Sequence, residues 1–328
     1  MTHTPTLHDV YLARDRIRTM IRQTPLTAST ELSEITGARA VHLKLECLQH
    51  TGAFKIRGAA NKILSLSDEE KRRGVITFST GNHGRAVAHV AGTTGIRAVV
   101  CLSAHVGRDR VESIRRLGAE VSVKGRSQDE AETNYRELAE AQGLVPVVPF
   151  DDPMIIAGQG TVALEIVQAL PDTDVLMIPL SGGGLLAGMA MAAKAINPRI
   201  HVVGLSIERS PAMLESLKAG RPVPVAEKDS IADSLLGGIG RDNHYTLPLV
   251  QKFADEHLLV SEAEIKDGMF HLFDRHQLVV EGAAAVGIGA LLNRKIDVEG
   301  KKVVALLSGS SIHPREYIQI IQSRLPVE

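Results

Sequence analysis

The sequence predicts an α/β protein whose sheets are mostly parallel and covered by helices on both faces, and three observations lead there. Short runs of apolar, often β-branched residues alternate with longer stretches of helical period along most of the chain, as in βαβ units. Glycine-rich junctions stand where strands pass into helices, at 79–84 and 181–188. The 328 residues, 44% hydrophobic and 23% charged, can bury a sizeable core divided between two units or one large and one small.

Along the chain, residues 8–22 set Val10, Leu12, Ile17, Met20 and Ile21 among charges at helical spacing, until Thr24-Pro25-Leu26 breaks the pattern. Residues 41–45 alternate as a half-buried strand does. A helix containing Lys55 follows. Next come a strand at 75–78, a helix at 84–93, a strand at 98–102 and a helix at 108–117. A strand at 120–123, a helix at 128–141 and a strand at 144–148 close this run. Past Pro149-Phe150-Asp151-Asp152-Pro153 the pattern gives a helix to Leu170, a strand at 175–179, a helix at 185–196 and a strand at 201–206. Residues 220–248, rich in Gly, Pro and Asp, read as one long connection. Helices near 262–275 and 282–292, a strand at 303–307 and a last helix from about Pro314 complete the chain. No short-period repeat and no low-complexity segment interrupts it.

Composition removes several classes of function. A net charge of -1 without a basic tract argues against nucleic acid and membrane surfaces as partners. No stretch is long and apolar enough to span a bilayer, and the start lacks a signal-peptide pattern. Two cysteines, Cys47 and Cys101, are too few for a disulfide framework and lack metal-ligand spacing. A reducing, cytoplasmic location is expected. With no Trp and 3% aromatic residues, base-stacking platforms are not expected.

The chemistry starts at Thr51-Gly52-Ala53-Phe54-Lys55-Ile56-Arg57-Gly58. Lys55 is flanked by Ala53, Phe54 and Ile56, and an amine in apolar surroundings loses hydration, so its pKa falls and it becomes nucleophilic near neutrality. That suits a Schiff-base lysine; on this stretch alone, a lysine snorkelling from an amphipathic helix explains it as well. Ser181-Gly182-Gly183-Gly184-Leu185-Leu186-Ala187-Gly188, between a strand and an apolar helix, lets consecutive N–H groups point into one concavity at a helix N-terminus, an anion site suited to phosphate. A tight turn for packing would need only one glycine. Gly182-x-Gly184-x-x-Ala187, with Glu208 after the next strand, also satisfies a dinucleotide pattern, so a nicotinamide-dependent oxidoreductase is the alternative. Ser79-Thr80-Gly81-Asn82-His83-Gly84 concentrates hydroxyls, an amide and backbone N–H groups at a helix start, where a carboxylate would be held; a simple cap accounts for one of these residues. Ser308, in Leu306-Leu307-Ser308-Gly309-Ser310-Ser311, can reach a ring nitrogen or cap the final helix.

Taken in order with Ala157-Gly158-Gln159-Gly160-Thr161, these stretches resemble the threonine dehydratase/serine racemase group of pyridoxal-phosphate enzymes, from about Thr24 to Ser311. Within it, Gly125-Arg126-Ser127-Gln128-Asp129-Glu130-Ala131, Pro149-Phe150-Asp151-Asp152-Pro153 and Glu208-Arg209-Ser210 are most similar to hydroxyectoine-utilisation dehydratases. The resemblance implies the fold-type II architecture, like the tryptophan synthase β chain, with two open twisted, mostly parallel sheets. A large cofactor-binding domain would comprise 1–73 and 150–328, with a small domain, 74–149, inserted and moving over the substrate. It implies that Lys55 carries pyridoxal 5'-phosphate as a Schiff base and then acts as general base. Phe54 lies near the ring, Asn82 contacts the ring hydroxyl oxygen, and Ser308 faces the pyridine nitrogen. Ser181, in place of a usual glycine, with Gly182, Gly183, Gly184 and Leu185 binds the phosphate. Ser79, Thr80, Gly81, Asn82 and His83 hold the substrate carboxylate. The implied reaction is loss of water from a β-hydroxy α-amino acid, threonine, serine or a ring-opened hydroxyectoine derivative, giving a 2-oxo acid and ammonia. A homodimer or homotetramer is expected.

Three positions depart from the pattern. Thr80 stands where racemases of the group have a second catalytic serine. Ser310-Ser311 replaces glycine–asparagine. At the divalent-metal site of some relatives Glu208 and the Ala212 carbonyl match, but Leu214 replaces the second carboxylate, which disfavours a hard cation. Serine racemase activity and a non-catalytic amino-acid-binding regulator on the same fold are the remaining alternatives.

Overall fold

The computed structural model describes residues 3–79, 81–104, 106–124 and 128–325. The chain opens with α1 (Leu7–Ile17), β1 (Leu26–Ser29), α2 (Thr30–Thr36), β2 (Ala40–Lys44), α3 (Lys55–Leu64) and α4 (Asp68–Arg73). Strands and helices then alternate: β3 (Val75–Phe78), α5 (Asn82–Thr94), β4 (Ala98–Leu102), α6 (Arg108–Arg116), β5 (Glu120–Val123), α7 (Gln128–Gln142) and β6 (Val145–Pro146). Next come α8 (Pro153–Ala169), β7 (Val175–Pro179), α9 (Gly184–Ile196), β8 (His201–Ile207) and α10 (Ala212–Ala219). The chain ends with α11 (Thr246–Phe253), β9 (Glu256–Val260), α12 (Glu262–His276), α13 (Gly282–Leu292), β10 (Lys302–Leu306) and α14 (Pro314–Gln322).

Two sheets form. The larger runs β1-β2-β10-β7-β8-β9 and the smaller β5-β4-β3-β6. Every pairing is parallel except that of β1 with β2. The strands β7 and β4 are buried at every residue, the pattern of a sheet covered on both faces. Helix α13, built of Gly, Ala, Val, Ile and Leu, is buried from Gly282 to Leu291, so it lies within the larger core rather than on it.

Several expected elements are trimmed and several are added. The strand expected at 144–148 shortens to Val145–Pro146, because Pro146 and Pro149 have no N–H for a ladder. The first helix stops at Ile17 rather than running to residue 22. β1, α2, α4, α10, α11 and β9 were not anticipated. α11 begins at the end of the segment read as a connection and carries Pro248 in its first turn, where a missing N–H costs nothing.

The loops after β3, β7 and β10 all leave the carboxyl ends of parallel strands, where α/β sheets bind ligands. They are the three loops singled out from the sequence.

Candidate functional site

Lys55 is brought to the loop after β10 by short-range pairing of the two segments. Phe54 N–H donates to Ser308 O at 3.1 Å, Ser310 N–H donates to Gly52 O at 2.9 Å, and Ala53 forms a bridge with Gly309. Two residues on, Arg57 fixes the start of α3. Its guanidinium is fully buried and donates to Glu46 at 2.8 Å and to Glu165 at 2.6 Å. A buried ion pair of this kind is costly to break because the survivor is left uncompensated.

The Lys55 amine donates to Pro149 O at 2.9 Å and lies 5.3 Å from the centroid of the Phe54 ring. Burial lowers its pKa to about 8, against the pull of the Glu281 carboxylate, which favours the charged form. The apolar flanks of the sequence therefore do what was expected of them.

Glu281 was not foreseen. It is fully enclosed at the N-cap of α13, and both its oxygens accept from Asn82 Nδ2, at 2.9 and 3.0 Å. Ser311 N–H donates to it at 3.0 Å and the Ser234 hydroxyl at 3.2 Å. Burial raises its pKa to about 7, despite the Asn82 hydrogen bonds, and the charge of Asp233 adds to the rise. A lone acid at the head of an otherwise apolar, glycine- and alanine-rich helix was the signal in the sequence.

Asn82 opens α5, and Gly81 before it supplies no side-chain cap, so the cap explanation of this loop fails. Among the described residues no side chain caps the first turn, whose N–H groups point toward the helix start, where an anion is favoured. With Asn82 Nδ2 on Glu281, its Oδ1 is a buried acceptor without a partner. The ring of His83 is tied elsewhere: Nε2 lies 2.9 Å from Val147 O, a carbonyl that only accepts, so Nε2 carries the proton. Nδ1 is then a bare acceptor, and it too is unpartnered. Burial, with the nearby Lys55 charge, pulls the His83 pKa down to about 3, so the ring is neutral and its backbone N–H is what it can offer a carboxylate. Ser79 Oγ accepts from Gly81 N–H at 3.4 Å. Thr80 lies outside the described residues, as do Gly125, Arg126 and Ser127.

The glycine turn follows β7. Gly183 has φ +87°, and a β-carbon there would fall 2.7 Å from Met213 and 3.0 Å from Thr246. At Gly182 a β-carbon would fall 2.3 Å from the Phe150 ring. α9 then starts with no side-chain cap, and Leu185 is buried in its first turn. The turn excludes side chains and keeps its main-chain donors, which is what an anion cradle needs. Ser181, only partly buried, precedes it.

Ser308 is buried beside this arrangement. It does not cap the final helix; His313 Nδ1 accepts from Arg315 N–H in that role. Of the departing pair, the Ser310 hydroxyl donates to Cys47 O at 3.2 Å, and the Ser311 hydroxyl accepts from Arg85 Nη1 at 3.0 Å. The 157–161 motif, by contrast, packs helices. A β-carbon on Gly158 would fall 2.6 Å from Arg57 O and 2.7 Å from Gly58 Cα. Glu208 sits on the surface with its side chain 54% exposed and 3.9 Å from Lys295 Nζ, while Ala212 opens α10.

A sequence pattern described as pyridoxal-phosphate-dependent enzyme matches residues 17–309. A Sinorhizobium fredii protein bearing a threonine-dehydratase name is 47% identical over 306 residues, 93% of this chain and 92% of its own. The L-threonine ammonia-lyase of Thermotoga maritima is 42% identical over 320 residues, 98% of this chain and 79% of its own. Among solved structures, maize serine racemase superposes with a TM-score of 0.91 at 31% identity, covering 98% of each chain. These matches overturn the nicotinamide alternative. No helix among the described residues is long and apolar enough to cross a membrane.

Proposed function

The chain belongs to the pyridoxal-phosphate-dependent enzyme family, and from that premise we propose that it eliminates water from a β-hydroxy α-amino acid, releasing a 2-oxo acid and ammonia. It is a lyase of the dehydratase type. The observation that carries the reading is the Lys55 amine, desolvated and held at Pro149 O among the loops after β3, β7 and β10.

The residues present fit the cofactor. The glycine turn admits an anion and no side chain, Asn82 Oδ1 is a buried acceptor without a partner, and a depressed-pKa lysine stands with them. In this reading Ser181, the N–H groups of Gly182, Gly183, Gly184 and Leu185, and the α9 N-terminus hold the phosphate. Asn82 meets the ring oxygen, Ser308 the ring nitrogen, and Phe54 lies by the ring. Bound pyridoxal phosphate supplies the electron sink for charge developing at the substrate α-carbon. A hydroxyl rather than a carboxylate at the ring nitrogen leaves that atom neutral, which suits a substrate that expels its β-group promptly. Main-chain donors at Ser79, Thr80, Gly81, Asn82 and His83 hold the substrate carboxylate. Lys55 Nζ, free of its proton from about pH 8, takes the α-proton as general base.

L-Threonine is the substrate that the relatives' names support, and L-serine, a smaller β-hydroxy amino acid, is the next candidate. A ring-opened hydroxyectoine derivative is the further candidate, supported by the stretches that resemble that subfamily. The 74–149 segment, which contains the smaller sheet, is proposed to move over the bound substrate.

The proposed enzyme is a lyase far more than a racemase. Racemisation needs a proton donor opposite Lys55, and Thr80 adds a methyl and a stiff χ1 at the racemases' serine position. The test is a 2-oxo acid and ammonia assay on these substrates, with chiral chromatography of the residue. The expected result is 2-oxo acid in excess of D-isomer, with Lys55→Ala lowering turnover by roughly 10²–10⁴-fold. Near-wild-type elimination by Lys55→Ala, or the D-isomer as main product, would sink the proposal. A binding-only regulator would hold the cofactor and make no product.

A further inference from the structure

The segment Pro149-Phe150-Asp151-Asp152-Pro153 joins β6, in the smaller sheet, to α8, which leads back into the larger. Its first two residues touch the site and the later ones anchor the segment to neighbouring helices. Pro149 O accepts from Lys55 Nζ. The Phe150 ring lies against Gly182, and the Phe150 backbone against Gly184. Asp152 caps α8, accepting from Met154 N–H at 2.7 Å, and pairs with Lys62 of α3 at 2.6 Å. Pro153 is the first residue of α8.

Asp151 does something its neighbour does not. Its carboxylate accepts from three successive backbone N–H groups, those of His244 at 2.7 Å, Tyr245 at 2.9 Å and Thr246 at 2.8 Å. These donors open α11, whose own N-cap, Tyr245, makes no side-chain cap. Three N–H groups meeting one carboxylate at a helix N-terminus combine charge-assisted hydrogen bonding with the helix dipole. α11 in turn backs the glycine turn, since Thr246 and Val250 stand 3.0 and 3.2 Å from where a Gly183 β-carbon would be.

We infer that Asp151 is a positioning residue for the cofactor phosphate: it pins α11 behind Gly183 while Phe150 covers Gly182 and Gly184, so the turn is clamped from both sides by adjacent residues of one segment. The inference rests on the glycine turn being the phosphate site. Asp151 touches neither cofactor nor substrate; it acts through α11.

The test is titration of the cofactor-free protein with pyridoxal phosphate and, separately, with pyridoxal, which lacks the phosphate. The readout is the ratio of the two affinities, which a general loss of stability does not move. Asp151→Asn leaves at least one N–H poorly paired, and weakens pyridoxal phosphate about tenfold while leaving pyridoxal within about twofold. Asp151→Glu keeps the charge and restores most of the ratio. Asp152→Asn, which loosens α8 and the Lys62 pair, leaves the ratio at the wild-type value. Equal loss of both ligands in Asp151→Asn, an unchanged ratio, or the same change in Asp152→Asn overturns the inference. So does an Asp151→Asn chain that does not fold, unless Asp151→Glu folds and shows an intermediate ratio. Gly183→Asp separates the two levels. If it keeps the wild-type ratio, the phosphate assignment itself fails. If it loses the ratio and the Asp151 variants do not, only the role of Asp151 falls.

Discussion

Glu281 and Lys55 are buried groups whose charges oppose their surroundings, and they shift in directions that bring both near neutrality. Burial raises the carboxyl to about 7 and lowers the amine to about 8. For Glu281 the folded protein keeps a proton between the ordinary carboxyl value of 4.5 and about 7, whereas the unfolded chain has lost it. The stabilisation from the protonated group is therefore full below 4.5 and lost as pH rises through 7. Glu281→Gln mimics the protonated carboxyl and cannot ionise. Its stability relative to wild type is expected to rise from pH 4.5 to 7 and level off above, in denaturant titrations of the cofactor-free proteins. A difference flat across that range would mean that Glu281 ionises at the ordinary value. Lys55 was legible because its apolar neighbours are adjacent in sequence. Glu281 was marked only by its place at the head of an apolar helix; its shift was not legible, because the groups around it, Asn82, Ser234 and Ser311, come from three distant segments. His83 shows the same limit, since its ring is neutralised by burial and the nearby Lys55 charge, which no local pattern reveals.

At the scale of elements, the 157–161 motif separates what identifies a family from what performs its chemistry. α8 meets α3 so closely that Gly158 and Gly58 touch through their backbones, one residue past Arg57 and three past Lys55. The contact distances involve main-chain atoms, which cannot swing aside as a side chain can. Gly158→Ala is expected to cost about 1–3 kcal/mol in urea denaturation as the helices are forced apart. An unchanged midpoint would mean that α8 slides to accommodate the methyl. Strand–helix alternation from residue 75 to 207 was readable because each segment carries its own period, and β3, β4, β5 and β7 fall at the expected bounds. Some of the elements that were missed depend on outside partners, although α4 has its own Ser67–Glu70 capping box. α11 has one local cap, Asn243 Oδ1 accepting from Leu247 N–H, but its other leading N–H groups are met by Asp151, 95 residues upstream of Thr246. β1 is four residues long and holds its place by antiparallel pairing with β2. That the glycine turn excludes side chains was legible from its consecutive glycines, but the Phe150 ring that covers it has no signature in the turn's own sequence.

For the whole molecule, two sets of contacts join the two sheets at the site. The 149–153 segment connects them covalently and reaches Lys55 and the glycine turn. Elsewhere, α5, which packs on the smaller sheet, is clasped to the elements of the larger sheet at two positions one turn apart. Asn82 donates to Glu281, and Arg85 donates to the Ser311 hydroxyl, while Ser311 N–H donates to Glu281. If the smaller unit closes over substrate as proposed, the Arg85 contact stabilises the closed arrangement and touches no reacting atom. Removing one such part-buried hydrogen bond is worth about 1 kcal/mol, or roughly fivefold in an equilibrium. Arg85→Ala is therefore expected to raise KM for the amino acid by roughly fivefold with kcat changed far less. Ser311→Ala, which takes away the acceptor and leaves the backbone N–H on Glu281, should give the same shift, and the double variant no more than either alone. Hydrogen exchange at the amides of α5 should quicken in both. Additive KM effects in the double variant would mean that Arg85 and Ser311 act separately, and an unaltered KM with unaltered α5 exchange would remove the clasp from closure altogether.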